Sequence, residues 1–326
     1  MKKKIALVTG GYSGEAVISY KTAHTIYQHI DRTLYDCFLI DIHPDGWFYK
    51  PDQGAPSPVD KNDFSINHLG EKIKFNAVLI ALHGTPGEDG KLQGYLDCLN
   101  IPYTSCNTAT SAITFNKKYT VAVAAASGIR VANSIQLFKN EPYNGNDIVQ
   151  QLRLPVFVKP NNGGSSLGMS KVNDAAHIDA AIQKAFREDD QVLIESFVRG
   201  RELTIGVFRS AGEVITLPIT EIVSKNEFFD FEAKYQGASE EITPARVDAS
   251  IAGQVQEAAK KAYHVFNCSG VVRIDFIYEP EEGVPYMLEI NTVPGQSDAS
   301  IVPQQVRAMG WTLTRFYSEL IESCLK

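Results

Sequence analysis

The sequence predicts an α/β protein in three units, an open parallel-sheet domain at the N-terminus followed by two further α/β units, and three observations carry that prediction. The chain opens on a βαβ pattern, its middle alternates short strands with helices, and from Arg201 it changes to long extended runs. At 326 residues, 44% apolar and 21% charged, it has material for two or three domains with cores of their own.

In the first unit (1–104), Ile5 to Val8 reads as a buried strand. TGGYSGE then turns into helical spacing from Ala16 to His29, and Tyr35 to Ile42 reads as a second strand. His43 to Ser57, rich in Pro and Gly, reads as loop with one short strand around Trp47 to Tyr49. Strand Ala77 to Leu82 runs into HGTPGEDG, helix Lys91 to Leu99 follows, and the unit ends near Tyr103 or Thr104. The second unit (105–200) starts with a helix from Thr108 to Ala126, then strand Ile135 to Phe138, helix Asn146 to Leu152 and strand Val156 to Lys159. After NNGGSSLG come strand Met169 to Val172, helix Ala175 to Phe186 and strand Val192 to Glu195. The third unit (201–326) has extended runs Glu202 to Arg209 and Glu213 to Ile222. KNEFFDFEAKYQGAS has no clean period and reads as a functional loop. Helix Ala249 to Phe266, strands Val271 to Tyr278 and Tyr286 to Asn291, and a closing helical region from Ser300 to Leu325 complete the chain.

Composition excludes several classes. With 31 Lys plus Arg against 38 Asp plus Glu, the formal charge of −7 gives no support to a nucleic-acid-binding surface. The five cysteines are odd in number, widely spaced and without a CxxC pair, so neither a disulfide framework nor a zinc site is expected. The apolar run after MKKK stops at Val8, far short of a signal h-region or a membrane span. A protein of the reducing cytoplasm, with no membrane partner, is expected.

Chemistry concentrates in two places. On VVRIDFIY, Val272, Ile274 and Phe276 share one strand face while Arg273 and Asp275 share the other. On YMLEIN, Glu289 and Asn291 oppose Tyr286, Leu288 and Ile290. If the strands are neighbours, Asp275, Glu289 and Asn291 converge beside Arg273, a hard-oxygen set suited to Mg²⁺. A salt-bridged solvent face is the plainer reading of either strand alone. The second place is KPNNGGSSLG, where Gly163 and Gly164 let backbone N–H groups approach a phosphate and Ser165 and Ser166 add hydroxyl donors. It is not a Walker loop, and a flexible hairpin connection explains it equally well. GGYSGE fails the GxGxxG spacing. HGTPGEDG places His83 next to two acids at a strand end, where a capped turn before the Lys91 helix is the competing explanation. Gly295 and Ser300 stand around a helix start able to take a carboxylate, which mere capping would also explain. Lys117, Lys118 and Lys234 are further lysines able to meet phosphate.

In order, GGYSGE, ALHGTPGEDG, VKPNNGGSSLGMSKV, VLIESFVRGRELT, FDFEAKY, VRIDF and LEINTVPG resemble the motifs of ATP-grasp enzymes, more closely the D-alanine:D-alanine ligases, over nearly the whole chain. The resemblance implies a three-domain ATP-grasp fold with an N-terminal open parallel-sheet domain. It also implies ATP-dependent joining of two D-alanine molecules through an acyl phosphate, for peptidoglycan precursor synthesis. It assigns Glu15 to the first substrate's ammonium, Ser165 with Tyr235 to fixing Glu15 and the loop over the site, and His83 to a place beside the first substrate. Lys117, Lys159, Ser166 and Lys234 would meet ATP phosphates, and Glu195, Val198 and Glu202 the adenine and ribose. Asp275, Glu289 and Asn291 would hold two Mg²⁺ ions, with Mn²⁺ as a substitute. Arg273 and the Gly295 amide would stabilise the oxyanion, and Ser300 and Ile301 would receive the second substrate's carboxylate. By the same analogy the enzyme is a homodimer.

The chain departs from the family pattern at Ala16 and Val17, where a His and a Glu are usual, at Ser196 in place of a Lys after the adenine-site Glu, and at Val121 in place of another Lys. The rivals are D-lactate as second substrate, another ATP-grasp carboxylate–amine ligase, a nucleotide-dependent regulatory protein, and an NAD-dependent oxidoreductase weakened by the failed fingerprint.

Overall fold

A computed structural model describes residues 2–164, 168–224 and 239–325. The first unit contains β1 (Lys3–Gly10), α1 (Ala16–His29), β2 (Tyr35–His43), β3 (Gly46–Lys50), β4 (Ser57–Pro58), β5 (Ile66–His68), β6 (Glu71–Ile73), β7 (Ala77–Ile80) and α2 (Lys91–Cys98). Its main sheet has the order β4-β3-β2-β1-β7. The sheet is parallel where β1 pairs with β2 and β7, and antiparallel at its β3–β4 edge. The expected parallel sheet is therefore present with an added antiparallel edge, and the short β5–β6 hairpin, whose strands carry too few apolar residues to show a period, was not anticipated. β1 lies between β2 and β7, so the chain leaves it towards opposite sides. The carboxyl end of β1 thus opens a crevice of the kind where open α/β sheets bind ligands.

The second unit begins with α3 (Thr108–Phe115) and α4 (Lys117–Ala126) where one helix was expected. The break is Asn116, extended at φ −94 and ψ 108, whose side chain caps α4 by accepting the Tyr119 N–H at 3.0 Å. Then come β8 (Ser134–Phe138), α5 (Gly145–Leu152), β9 (Val156–Pro160), β10 (Ser170–Val172), a 3₁₀ turn (Ala175–His177), α6 (Ile178–Ala185) and β11 (Gln191–Ser196). The antiparallel sheet β10-β9-β11-β8 buries alternate residues Val156, Val158, Val192 and Ile194 against Ile148, Leu152, Ile178 and Ile182 of the two helices.

The third unit comprises β12 (Arg201–Ser210), β13 (Glu213–Thr216), β14 (Thr220–Ser224), β15 (Ser239–Ile242), α7 (Ala249–Val265), β16 (Val272–Glu279), β17 (Val284–Asn291), α8 (Ile301–Ala308) and α9 (Leu313–Cys324). Its sheet runs β15-β14-β12-β16-β17, with β13 also on β12. The run read as one strand from Glu213 to Ile222 is two, because at Leu217–Ile219 the partner of β12 changes from β13 to β14, and Pro218 has no N–H to continue a ladder. Gln305 of α8, fully buried, fills that gap. Its Oε1 accepts the Gly206 N–H and its Nε2 donates to the Thr204 carbonyl, both at 3.0 Å. A Cβ at Gly206 would stand 2.9 Å from that Oε1, so only glycine leaves room. The closing helical region breaks at Gly310, whose φ of +82 suits a residue without Cβ.

The alternation along β1 divides the first sheet into two faces. Ala6 and Val8 join Ile40, Val78 and Leu92 on one face, while Ile5 and Leu7 pack with Ile26 and with Leu313, Phe316, Tyr317, Leu320 and Ile321 of α9 on the other. The i, i+3, i+4, i+7, i+8 spacing on α9 is that of a helix with one buried stripe. The end of the chain thereby closes the first domain, and Lys3 Nζ reaches Glu322 at 2.7 Å across the seam.

Candidate active site

The antiparallel ladder between β16 and β17 sets Asp275 opposite Glu289 and Arg273 opposite Asn291. Residues Val272, Ile274, Phe276 and Tyr278 are buried on the other face, against α7. This is the juxtaposition of Asp275, Glu289, Arg273 and Asn291 that the strand alternation predicted if the two strands were neighbours. The expected apolar face of Tyr286, Leu288 and Ile290 is not formed, because the register shifts between Asp275 and Phe276 and Leu288 is the extra residue. Met287 is buried in the core with Ile290, while Tyr286 and Leu288 stay part-exposed. Arg273 grips Asp275 with both arms, Nε to Oδ1 at 2.9 Å and Nη2 to Oδ2 at 2.8 Å, and stands 4.0 Å from Glu289. Burial opposes the guanidinium charge, but Asp275, with Glu289 and Glu88, outweighs it and raises the Arg273 pKa. On the other side of β16, Thr204 of β12 is the cross-strand partner of Asp275, and its hydroxyl donates to Oδ1. Asn291 Oδ1 accepts the Val293 N–H at 3.1 Å.

Two carboxylates and one amide oxygen form a hard donor set; among the described residues no group of three or more His, Cys, Asp or Glu gathers to hold a metal ion, here or elsewhere. Such a set leaves positions for water and phosphate oxygens around a small octahedral ion, so the residues fit Mg²⁺, and Mn²⁺ as a close substitute.

At the carboxyl end of β1, Glu15 occupies the N-cap position of α1, yet its side chain makes no capping bond. The carboxylate lies instead between two glycines. A Cβ at Gly84 would sit 2.6 Å from Oε2, and one at Gly164 would sit 2.7 Å from Oε1. Gly84 has φ +67 besides, so both conformation and space demand glycine there. The glycine run of the second unit thus lies against the acid of the first. His83 is buried, its Nε2 2.9 Å from Thr22 Oγ1, and its backbone N–H donates to Ser19 Oγ at 2.9 Å.

Sequence reasoning singled out the acids of HGTPGEDG without a role for either. Asp89 pairs with Lys91 at 2.6 Å, but Glu88 turns inward and accepts the Gly84 N–H at 2.5 Å. Burial first, then Glu15 beside it, pushes the Glu88 carboxyl up to about 8 against the opposing pull of the Gly84 N–H and Arg273. A lone Glu in a turn carries no sequence signal of such a position; only the convergence of β7, α1 and β16 creates it.

On the second unit Lys117 Nζ donates to the Gly163 carbonyl at 2.5 Å, and Lys159 pairs with Glu195 at 2.5 Å, both side chains largely buried. Burial is the largest influence on Lys117 and lowers its pKa, with Lys159 acting the same way and Glu289, Glu195 and Glu15 opposing. One cluster therefore draws acids and bases from all three units. Lys118 stands aside, with Nζ 3.0 Å from Ser134 Oγ. Val198 lies half-buried in the β11–β12 connection and Glu202 half-buried on β12.

After β17, a Cβ at Gly295 would meet Ser300 Oγ at 3.0 Å. Ser300 is the N-cap of α8 but makes no side-chain capping bond, its Oγ standing 2.7 Å from Ser297 Oγ, and Ile301 follows at the first helical position. The first turn of α8 so presents amides and dipole beside Gly295. Ser165, Ser166, Lys234 and Tyr235 lie outside the described residues. Residues the sequence reading missed are Thr22, Thr204 and Gln305, each hydrogen-bonded to a partner on a different element, and Glu88 was noted without the inward position that sets it beside Glu15 and Arg273.

The three-unit architecture is the ATP-grasp fold. Residues 4–106 match the model of the D-Ala D-Ala ligase N-terminus and residues 123–322 that of the C-terminus. A D-alanine–D-alanine ligase of Flavobacterium johnsoniae is 46% identical over 323 residues, covering 99% of each chain. Among solved structures, the VanG D-Ala:D-Ser ligase of Enterococcus faecalis superposes with a TM-score of 0.87 at 30% identity, covering 99% of both chains. A Bacillus anthracis D-alanine–D-alanine ligase complexed with ATP superposes with a TM-score of 0.79 at 28% identity, covering 99% of this chain and 97% of that one. This chain belongs to the D-Ala D-Ala ligase family.

Proposed function

We propose that the protein joins two D-alanine molecules into D-alanyl-D-alanine, with ATP as phosphoryl donor, to supply a peptidoglycan precursor. The observation that carries the reading is the placement of Asp275 opposite Glu289, with Arg273 between them and Glu15 across the cleft. The first D-alanine would set its ammonium on Glu15 and its carboxylate towards Arg273. Transfer of the γ-phosphoryl group to that carboxylate gives an acyl phosphate and ADP. Phosphoryl transfer needs alignment and charge neutralisation more than covalent help, and Lys117, Lys159 and the glycine-run amides supply both. Mg²⁺ held by Asp275, Glu289 and Asn291 would neutralise phosphate charge when bound. The second D-alanine would place its carboxylate at Ser300 and the first turn of α8, shed an ammonium proton, and attack the acyl carbon. Arg273 and the Gly295 amide would steady the oxyanion before phosphate leaves.

The rival is a different second substrate, since a D-Ala:D-Ser ligase stands among the structural relatives and D-lactate offers a hydroxyl nucleophile. A panel of D-alanine, D-serine and D-lactate, each beside D-alanine and read by phosphate release and product mass, tests the reading. D-alanyl-D-alanine is the expected main product at neutral pH, and a depsipeptide or a D-alanyl-D-serine product in direct competition would overturn it. We further propose a cytoplasmic homodimer; among the described residues no helix is long and apolar enough to cross a membrane. Sedimentation at assay concentration tests the dimer.

A further inference from the structure

α1 presents Glu15, Ser19 and Thr22 at i, i+4 and i+7, one face of one helix. Ser19 and Thr22 are fully buried, and each hydroxyl is committed to the site. Ser19 Oγ accepts the His83 backbone N–H at 2.9 Å. Thr22 Oγ1 accepts the backbone N–H of Gln296 at 3.2 Å and stands 2.9 Å from His83 Nε2. Gln296 directly follows Gly295 and lies 274 positions along the chain from Thr22.

A hydroxyl has one proton and two lone pairs. The Gln296 amide can only donate, so it takes a lone pair. A helical threonine usually returns its proton to the carbonyl four residues back, but Thr22 makes no such bond. The acceptor left within reach of its proton is His83 Nε2. That fixes the imidazole as the neutral tautomer with its proton on Nδ1, leaving Nδ1–H as the ring's donor.

We propose that Thr22 is a positioning residue for the ligation, donating to His83 Nε2 and accepting the Gln296 N–H, so that one side chain sets the tautomer beside the first substrate and the place of the Gly295 amide. The proposal rests on the functional reading of His83 and Gly295 given above. Its consequence is a coupling between two loops from opposite ends of the chain, made through a group that touches neither substrate.

The test uses the full-length protein labelled with ¹⁵N-histidine, together with T22S, which keeps the hydroxyl, and T22V, which keeps the shape and loses it. Long-range ¹H–¹⁵N spectra, with the His83 signals assigned by their disappearance in H83Q, should show the Nδ1–H pattern in wild type and T22S and its loss or mixing in T22V. An Nε2–H pattern in wild type overturns the proposal whatever the kinetics show. In steady state, T22V should lose about 10- to 100-fold in kcat and raise the KM for D-alanine, while the KM for ATP stays within about 2-fold. T22S should recover most of the activity. Equal losses for T22S and T22V, or a T22V enzyme as active as wild type, would also overturn it. If T22V does not fold, the wild-type spectrum and the T22S kinetics still decide. Absence of ligation by wild type across the substrate panel would sink the functional reading, whereas the tautomer is read without turnover.

Discussion

Glu15 and Gly164 are in contact across the cleft between the first and second units, so close that a single added carbon at residue 164 would stand 2.7 Å from the Glu15 carboxylate. Two roles are therefore proposed for the glycine loop. Its backbone amides are proposed to meet phosphate, and Gly164 lies against the acid proposed to hold the first substrate's ammonium. Gly164→Ala should accordingly impair D-alanine use as well as nucleotide use, with KM for both raised at least several-fold. A KM for D-alanine equal to that of wild type would count against the contact. Steady-state titrations of each substrate at saturating levels of the other make the measurement.

Glu289 faces Asp275 without the bidentate guanidinium clamp that Asp275 has. Glu289→Gln removes one charge at constant volume, and we expect turnover to fall by at least about 100-fold with the fold intact by circular dichroism. Near-normal activity at saturating Mg²⁺ would remove Glu289 from the metal set.

Thr204 is nearly fully buried and donates to the same Asp275 oxygen that Arg273 Nε reaches. Such partners orient a metal-binding carboxylate, and losing one typically weakens metal affinity by about 10- to 100-fold. Thr204→Val should raise the Mn²⁺ dissociation constant, measured by electron paramagnetic resonance in the presence of ADP, and Thr204→Ser should restore it. Unchanged Mn²⁺ affinity in the valine variant would rule the role out.

Burial raises the Glu88 carboxyl to about 8, well above its unfolded value near 4.5. Between those limits the folded protein binds the extra proton, so stability falls as pH rises through that window. The whole effect is on the order of a few kcal/mol at most. The ligand-free wild type should lose melting temperature from pH 5 to pH 8.5, and Glu88→Gln should flatten that slope. Parallel slopes for the two proteins would show that Glu88 ionises normally.

Lys159 and Glu195 form a buried pair. Removing one partner of such a pair leaves an uncompensated charge and costs about 3–5 kcal/mol, whereas replacing both with apolar side chains is often neutral. Lys159→Met should destabilise the protein, and Met at both positions should recover stability but not ATP affinity. Recovery of ATP binding in the double variant would argue that Lys159 serves the fold alone.

The sequence by itself determined most of the longer strands and the side chains that share their faces. Alternation along Val272–Tyr278 and from Glu289 to Asn291 is local information, since a strand's period of two assigns each side chain to a face without knowing what covers it, whereas the register shift that buries Met287 in place of Tyr286 and Leu288 was not legible. Arg273, Asp275, Glu289 and Asn291 were legible for that reason, as was the glycine run, whose residue types state their conformational freedom. The helix break at Asn116 and the strand break at Leu217–Ile219 were not, because one is decided by a capping side chain and the other by which strand lies alongside β12. Tertiary structure alone decided the register that sets Asp275 against Glu289, the burial that changes Glu88, and the hydrogen-bond partners of Thr22 and Gln305. A threonine in a helix and a glutamine in another give no sign of their partners, which lie 274 and about 100 positions away. Hydrogen bonds between distant segments depend on distances that only the packing of the three units sets, and a linear pattern of polar and apolar residues does not encode them.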